Sequence, residues 1–342
     1  MTMKNILLVF TGGTIGSAVS DGVIDITKTQ GFKLLELFHN EDPQAEDIKF
    51  TSLQPLQILS ENMAPSAWQI LFNAIESQNL ASYDGIIVTH GTDTLAYTAA
   101  ALSYYFNALK VPILLVSSDY SLDDARANGL SNFRCAVDFI RQRIQAGVFV
   151  PYANQNQTMQ VHHGARLTCS LQLTGDFYSV QNKPFMQYKN QIFTQLDASL
   201  SVEPGISLLA KFSENVIMLK PYPGLNYAAI KLAKGDVVLH DLYHSGTACA
   251  SYEWGEQYSL VAFIERCAEQ GVKVYLAPAI KSTSAYQSTR LLLDKGAEML
   301  WNMSIESAYV KLLLAYGNFK EPQEIQAFLE TSISSELVQS DN

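Results

Sequence analysis

The sequence predicts an α/β protein: a large N-terminal domain on a mostly parallel sheet, then a smaller C-terminal α/β domain. Three observations carry this. Short uninterrupted apolar runs recur, each ending in small or polar residues and followed by a helical pattern, which is how strands buried on both faces of a parallel sheet read. The chain has 342 residues, 48% of them apolar, enough for a large core and more than one domain. A second group of such runs begins after a polar, Pro- and Gly-bearing stretch near residue 200.

Taken in order, the first run is ILLVF (residues 6–10). GIIVTHG (85–91) comes next, leading into the helix-like LAYTAAALSYYFNAL. VPILLVSS (111–118) precedes the helical DARANGLSNFRCAVDFIRQRI, and GVFVPYA (147–153) is a fourth strand. The second group comprises ENVIMLKPYPG, GDVVLHDLYHSG and GVKVYLAPA, with LVAFIERCAEQ and TRLLLDKGAEML as helical segments. Strands alternating with helices in this way imply parallel sheets. The expected division is a domain over 1–190, a linker over 191–212, a second domain over 213–330 and a frayed tail over 331–342.

The charge balance excludes some functions. A net charge of −10, with 23 Lys and Arg against 33 Asp and Glu, lacks the clustered cations that nucleic acid requires, so a small-molecule partner is expected. The opening MTMKNILLVF is too short for a signal peptide, and no apolar stretch reaches the length of about 18 residues that a membrane span needs. Cys135, Cys169, Cys249 and Cys267 lie far apart with no C-x-x-C pair. That spacing fits reduced thiols better than a disulfide frame or a zinc site, and the expectation is a soluble cytoplasmic protein without a metal.

In open parallel sheets ligands bind beyond the carboxyl ends of strands, and two loops there carry unusual chemistry. The first, TGGTIGS (11–17), exposes backbone through Gly12 and Gly13 but has neither the G-x-G-x-x-G spacing of a dinucleotide turn nor the G-K-[ST] of a P-loop. The second, THGTDTLAYT (89–98), puts Thr92, Asp93 and Thr94 where a helix begins. Alone, it reads as a helix cap made by Thr92 or Asp93. Together the loops supply a hydroxyl nucleophile, a carboxylate and free N–H groups for an oxyanion, which acyl transfer from an amide requires.

The two loops resemble the paired signatures of the bacterial-type L-asparaginase/glutaminase family, T-G-G-T-I and H-G-T-D-T, intact as residues 11–15 and 90–94. SENMAPSAW (60–68) is similar to the family's S-x-D-M segment, and KPYPGLN (220–226) to its Y-P-G strand end. The resemblance covers most of residues 4–320. It implies a large α/β domain with a smaller one, in homodimers or homotetramers, and hydrolysis of L-asparagine to L-aspartate and ammonia. Thr14 would be the nucleophile, with Thr92 and Asp93 completing the catalytic set. The Thr92 N–H would help bind the oxyanion, Asp93 the substrate ammonium and Ser60 its α-carboxylate. Gly13, Glu61 and Gly91 join Ser60, Thr92 and Asp93 as substrate contacts, and no metal or cofactor is implied. Thr11 reads as structural.

The sequence also departs from the family. Val23 stands where a tyrosine on the loop after T-G-G-T-I is expected. In HGARLTCSLQLTGDFYS (163–179) Gly164, Arg166 and Thr168 survive, but the family's lysine position falls on Cys169, or on Ser170 after a one-residue slip. Asn62, Asn128 and Thr247 replace an aspartate, an aspartate and an asparagine of the family's patterns. His162 and His163 could substitute as titrating groups, although two partly solvated histidines at a strand end is the simpler reading. For Cys169 a small buried thiol is the simpler reading, Lys28 reads as a solvated charge, and His244 belongs to the second domain, in a region that in the family faces a neighbouring subunit's site. A position-matched acid or base supplies about 10²–10⁴ in rate, so these losses point to an alternative: a weakened homologue that binds aspartate, asparagine or a related amide without efficient turnover. A nucleotide-binding protein is a third reading, resting only on glycine after a strand.

Overall fold

A computed structural model describes residues 3–12, 17–20, 23–26, 30–199 and 205–339, and the chain divides into two compact units, 1–210 and 211–342. In the first unit β1 (Lys4–Phe10) leads to a hairpin of β2 (Ser17–Ser20) and β3 (Val23–Ile26), then α1 (Gln30–Glu41), β4 (Ile48–Leu53) and α2 (Pro65–Glu76). There follow β5 (Gly85–Thr89), α3 (Leu95–Tyr105), β6 (Pro112–Val116), α4 (Gly129–Arg141) and β7 (Gly147–Tyr152). Strands β8 (Gln160–His163), β9 (Met186–Lys189) and β10 (Ile192–Gln195) complete it.

The large sheet runs β10-β9-β8-β7-β6-β5-β1-β4. From β4 to β7 every pairing is parallel, and β7 to β10 continue antiparallel. Every residue of β5 and β6 is buried, as expected of strands covered on both faces. One face packs Ile6, Leu8, Ile87, Leu114 and Phe149 against Phe133 and Ile140 of α4 and Phe38 of α1. The contact is close: a Cβ on Gly85 would stand 2.6 Å from Ile140 Cγ1, so glycine is what lets α4 rest on β5. The alternate residues Leu7, Val9, Ile86 and Val88 are as deeply buried, and α3 packs against β7 and α2.

The chain leaves β1 for β4 on one side and returns to β5 on the other, so the order reverses at the β1/β5 pair. Phe10 lies opposite Thr89, and the loops beginning at Thr11 and His90 therefore leave the sheet side by side. That is the switch point at which open sheets bind ligands.

The second unit pairs β11 (Val216–Leu219), β12 (Val237–Asp241), β13 (Lys273–Ala279) and β14 (Glu298–Trp301) in sequential parallel order. Helices α5 (Leu260–Glu269), α6 (Gln287–Asp294), α7 (Ile305–Asn318) and α8 (Pro322–Glu330) accompany them. Among the described residues no helix is long and apolar enough to cross a membrane.

The structure differs from the sequence expectations in three places. The segment TRLLLDKGAEML is not all helix: α6 stops at Asp294, Gly296 adopts φ 100, and Glu298 begins strand β14. Residues 192–195, inside the stretch read as a linker, form β10 of the large sheet. Residues 331–339, expected as a frayed tail, are anchored instead. Ile333 and Val338 are buried, and Glu336 pairs with Lys311 of α7 at 2.5 Å with both side chains fully buried. Glu336 also accepts the backbone N–H groups of Ile333 and Ser334, which explains why so polar a segment stays down.

Candidate active site

The loop after β1 is held at Thr11 by its side chain and its backbone. Thr11 Oγ1 donates to the Thr89 carbonyl at 2.6 Å, tying the β1 and β5 tips together, and the Thr11 carbonyl accepts Ile58 N–H at 2.9 Å. Thr11 is thus structural, as expected. Gly12 sits at φ 111, a conformation that glycine adopts without strain. Gly13 and Thr14, and the side chain at Val23, lie outside the described residues.

The loop after β5 is fixed from below. The Gly91 carbonyl can only accept, so His90 Nδ1 carries the ring proton and donates to it at 2.7 Å. In the neutral ring Nε2 then accepts the Thr98 hydroxyl proton at 2.9 Å, while Thr98 Oγ1 accepts from Trp68 Nε1, also at 2.9 Å. Burial lowers the His90 pKa to about 4 against the opposing pull of that carbonyl and of Asp93, keeping the ring neutral. The chain Trp68–Thr98–His90–Gly91 orients the turn that presents Thr92 and Asp93.

Ser60 comes from the turn Ser60–Asn62 and is buried. Its hydroxyl donates to Asp93 Oδ2 at 3.0 Å and accepts the Asp93 N–H at 3.2 Å, while its carbonyl accepts the Thr94 hydroxyl at 2.8 Å. This corrects the helix-cap reading of the loop. The cap position of α3 is Thr94, no side chain caps it, and the Asp93 carboxylate turns to Ser60. Glu61 is exposed on the same turn and is not among the described residues lining the cavity beside it.

That cavity, about 660 Å³, is lined by Thr92 and Asp93 together with residues from the loops after β6, β7 and β8. Asn128 and Asn132 hold those loops to one another. Asn128 Oδ1 accepts Asp119 N–H at 3.0 Å while its Nδ2 donates to the Ala153 carbonyl at 2.9 Å. Asn132 Nδ2 donates to the Ser117 carbonyl and its Oδ1 accepts Ala153 N–H, both at 2.9 Å. A carboxylate at 128 would lack the donor that Ala153 requires, which gives the family's Asp-to-Asn change a local reason. Sequence reasoning missed the cavity-lining Asp119, Arg126 and Asp176. Their only signal was position after an apolar run, shared by many loop residues.

The segment with the lysine motif keeps its frame without its cation. Arg166 is buried and bonds Asp197 at 2.8 Å and Ser199 at 2.9 Å, and Thr168 Oγ1 donates to the Tyr178 carbonyl at 2.9 Å. Cys169 is half-buried rather than enclosed, and Ser170 lines the cavity. Arg126 is the one cation among the described lining residues. His162 and His163 are buried rather than partly solvated. His162 Nδ1 meets Ser179 Oγ at 2.8 Å, burial lowers its pKa to about 4, and it does not line the cavity. The described residues contain no metal-binding cluster of His, Cys, Asp and Glu.

Two loops at a sheet switch point, one contributing a glycine turn and the other a serine-held aspartate, define an asparaginase-like α/β protein. The family described as "Asparaginase, N-terminal" matches residues 5–198, and the chain belongs to that family. It is 25% identical to a glutamyl-tRNA(Gln) amidotransferase subunit from Methanosphaera stadtmanae, over 98% of this chain and 77% of that one. The same amidotransferase subunit from Pyrobaculum aerophilum is 28% identical, over 98% and 80%. In fold it is similar to the thermostable L-asparaginase from Thermococcus kodakarensis (TM-score 0.78, 23% identity, covering 98% of this chain and all 100% of that one). L-asparaginase I from Vibrio cholerae gives a TM-score of 0.77 at 23% identity, covering 98% and 100%.

Proposed function

We propose that the protein is an L-asparaginase-type amidohydrolase that converts L-asparagine to L-aspartate and ammonia through the Thr14 hydroxyl. The observation that carries this reading is the Ser60–Asp93 pair at the tip of β5. One carboxylate oxygen is held by a buried serine, and the other has no hydrogen bond among the described residues, leaving an anion beside the cavity for a substrate ammonium. In this reading Thr14 attacks the side-chain carbonyl, ammonia leaves carrying a proton, and water cleaves the threonine ester to release aspartate. The Thr92 N–H binds the oxyanion, and Gly13 and Gly91 contact the substrate. The protein works in the cytoplasm as a homodimer or homotetramer, with its two domains joined after β10.

A second reading is binding without efficient turnover, and the absence of a lysine from the described lining residues favours it, with Cys169 at the expected position. The amidotransferase relatives favour a variant of the first, in which the freed ammonia passes to a partner protein. Ammonia release from L-asparagine and L-glutamine, measured beside Thr14→Ala, separates the first two readings. Release lost in the variant supports hydrolysis. No release, with L-aspartate raising the melting temperature, supports binding alone.

A further inference from the structure

The smaller sheet ends in an open edge. Strand β14 is its last strand and pairs with β13 alone. Asn302 N–H donates to the Ala279 carbonyl of β13 at 2.8 Å. Backbone groups alternate in direction along a strand, so the N–H and C=O of Leu300 also face β13 while those of Met299 and Trp301 face outward. The outward groups of Met299 and Trp301 have no hydrogen bond among the described residues. At the next residue the edge does take a partner, because the Asn302 carbonyl accepts Val338 N–H, also at 2.8 Å. Main chain thus closes one end of this edge and leaves the stretch before it open.

That open stretch is the wall of a cavity. All of β14, Glu298 to Trp301, lines a space of about 640 Å³ together with Leu329 and Glu330 of α8 and with Leu337. Leu300, Met303 and Leu329 are buried and give it an apolar floor. The exposed Lys281 lines it too, and its ammonium has no carboxylate partner among the described residues, whereas Lys273 and Lys295 are each paired with a glutamate at 2.6 Å. The glutamates of the cavity are already engaged: Glu298 by Lys273, and Glu330 by the Gln326 amide at 2.9 Å.

These features together call for one kind of occupant. Water can satisfy the outward N–H and C=O groups but leaves the floor uncovered, and a compact apolar molecule covers the floor but strands the main-chain groups. An extended peptide does both, because its backbone groups repeat every two residues and its side chains alternate between faces. We propose that the β14 edge docks an extended segment of a partner protein, about four residues long to match the strand, which joins the sheet as a fifth strand, lays apolar side chains on the floor and brings an acidic side chain to Lys281. This docking does not depend on the hydrolase reading.

The test uses the full chain and the peptide acetyl-Asp-Val-Thr-Val-Asp-amide, with a twin carrying Leu for Val; the palindromic order suits either strand direction. Calorimetry should show at least one of them binding with a Kd below about 1 mM. N-methylation of the threonine alone, or of both apolar residues alone, removes alternate N–H groups. One of these changes should weaken binding about tenfold or more and the other less than about threefold, since only every second N–H of an added strand faces its neighbour. Replacing both Asp by Asn should weaken binding about two- to threefold, a loss that shrinks in high salt. By NMR, the Met299 and Trp301 amides should exchange fast in the free protein and slowly with peptide bound. No binding by either peptide, equal effects of the two N-methylations, an Asn twin that binds equally well, or binding that leaves both amides unprotected would overturn the proposal. Slow exchange of both amides in the free protein would show the edge covered by a second copy, and would overturn it as well.

Discussion

At the scale of single residues, the neutral replacements are accommodated by hydrogen bonding. Asn128 supplies a donor to Ala153 that an aspartate could not, and the buried Arg166 has a carboxylate partner in Asp197 while the neighbouring cation is gone. Asp93 is the residue on which the proposed activity turns. Asp93→Asn should raise the KM for L-asparagine by tenfold or more, roughly the worth of a charge-assisted hydrogen bond, while the melting temperature moves little. An unchanged KM in steady-state assays would remove Asp93 from substrate binding. Thr98→Val tests the chain beneath it. It strands the Trp68 N–H and His90 Nε2 in a buried site, and urea denaturation should show a loss of about 1–3 kcal/mol.

At the scale of elements, the parallel strands were the legible part. GIIVT and PILLV are continuous apolar runs because both their faces are covered, and the sequence places them within a residue or two. Strands β8 to β10 went unseen, being short, partly exposed and antiparallel, with no continuous run to announce them. Strand β14 was absorbed into a helical reading because EMLW continues the apolar content of the helix before it. Residues 331–339 look polar and terminal, yet Glu336 finds Lys311. Burial lowers the Lys311 pKa while Glu336 opposes that. Lys311→Met should cost about 3–5 kcal/mol by leaving a buried carboxylate alone, and Lys311→Met/Glu336→Leu should recover most of it in the same denaturation experiment.

At the scale of the whole molecule, buried neutral histidines tie stability to pH. Burial is the main cause that lowers His90, His162 and His240 each to about 4. Between that value and about 6.5, the unfolded chain binds protons that the folded chain refuses, so stability rises with pH across this window. Acidification from pH 7 to pH 4 should therefore lower the unfolding free energy from urea denaturation, by up to about 3 kcal/mol per histidine, and with it the midpoint, while pH 7 to 8 should change both little. A midpoint that rises on acidification would show these rings to be charged in the native state.

The sequence by itself determined the α/β class, the parallel core strands and the two loops that hold Thr11 and Asp93, because apolar continuity and glycine-hydroxyl spacing are local properties of the chain. Only the tertiary structure decided that the Asp93 carboxylate is held by Ser60, that Trp68 backs the Thr98–His90 pair, and that Asp119 and Asp176 line the same cavity as Asp93. Those facts join residues from separate loops and helices, which only strand order and loop packing bring together.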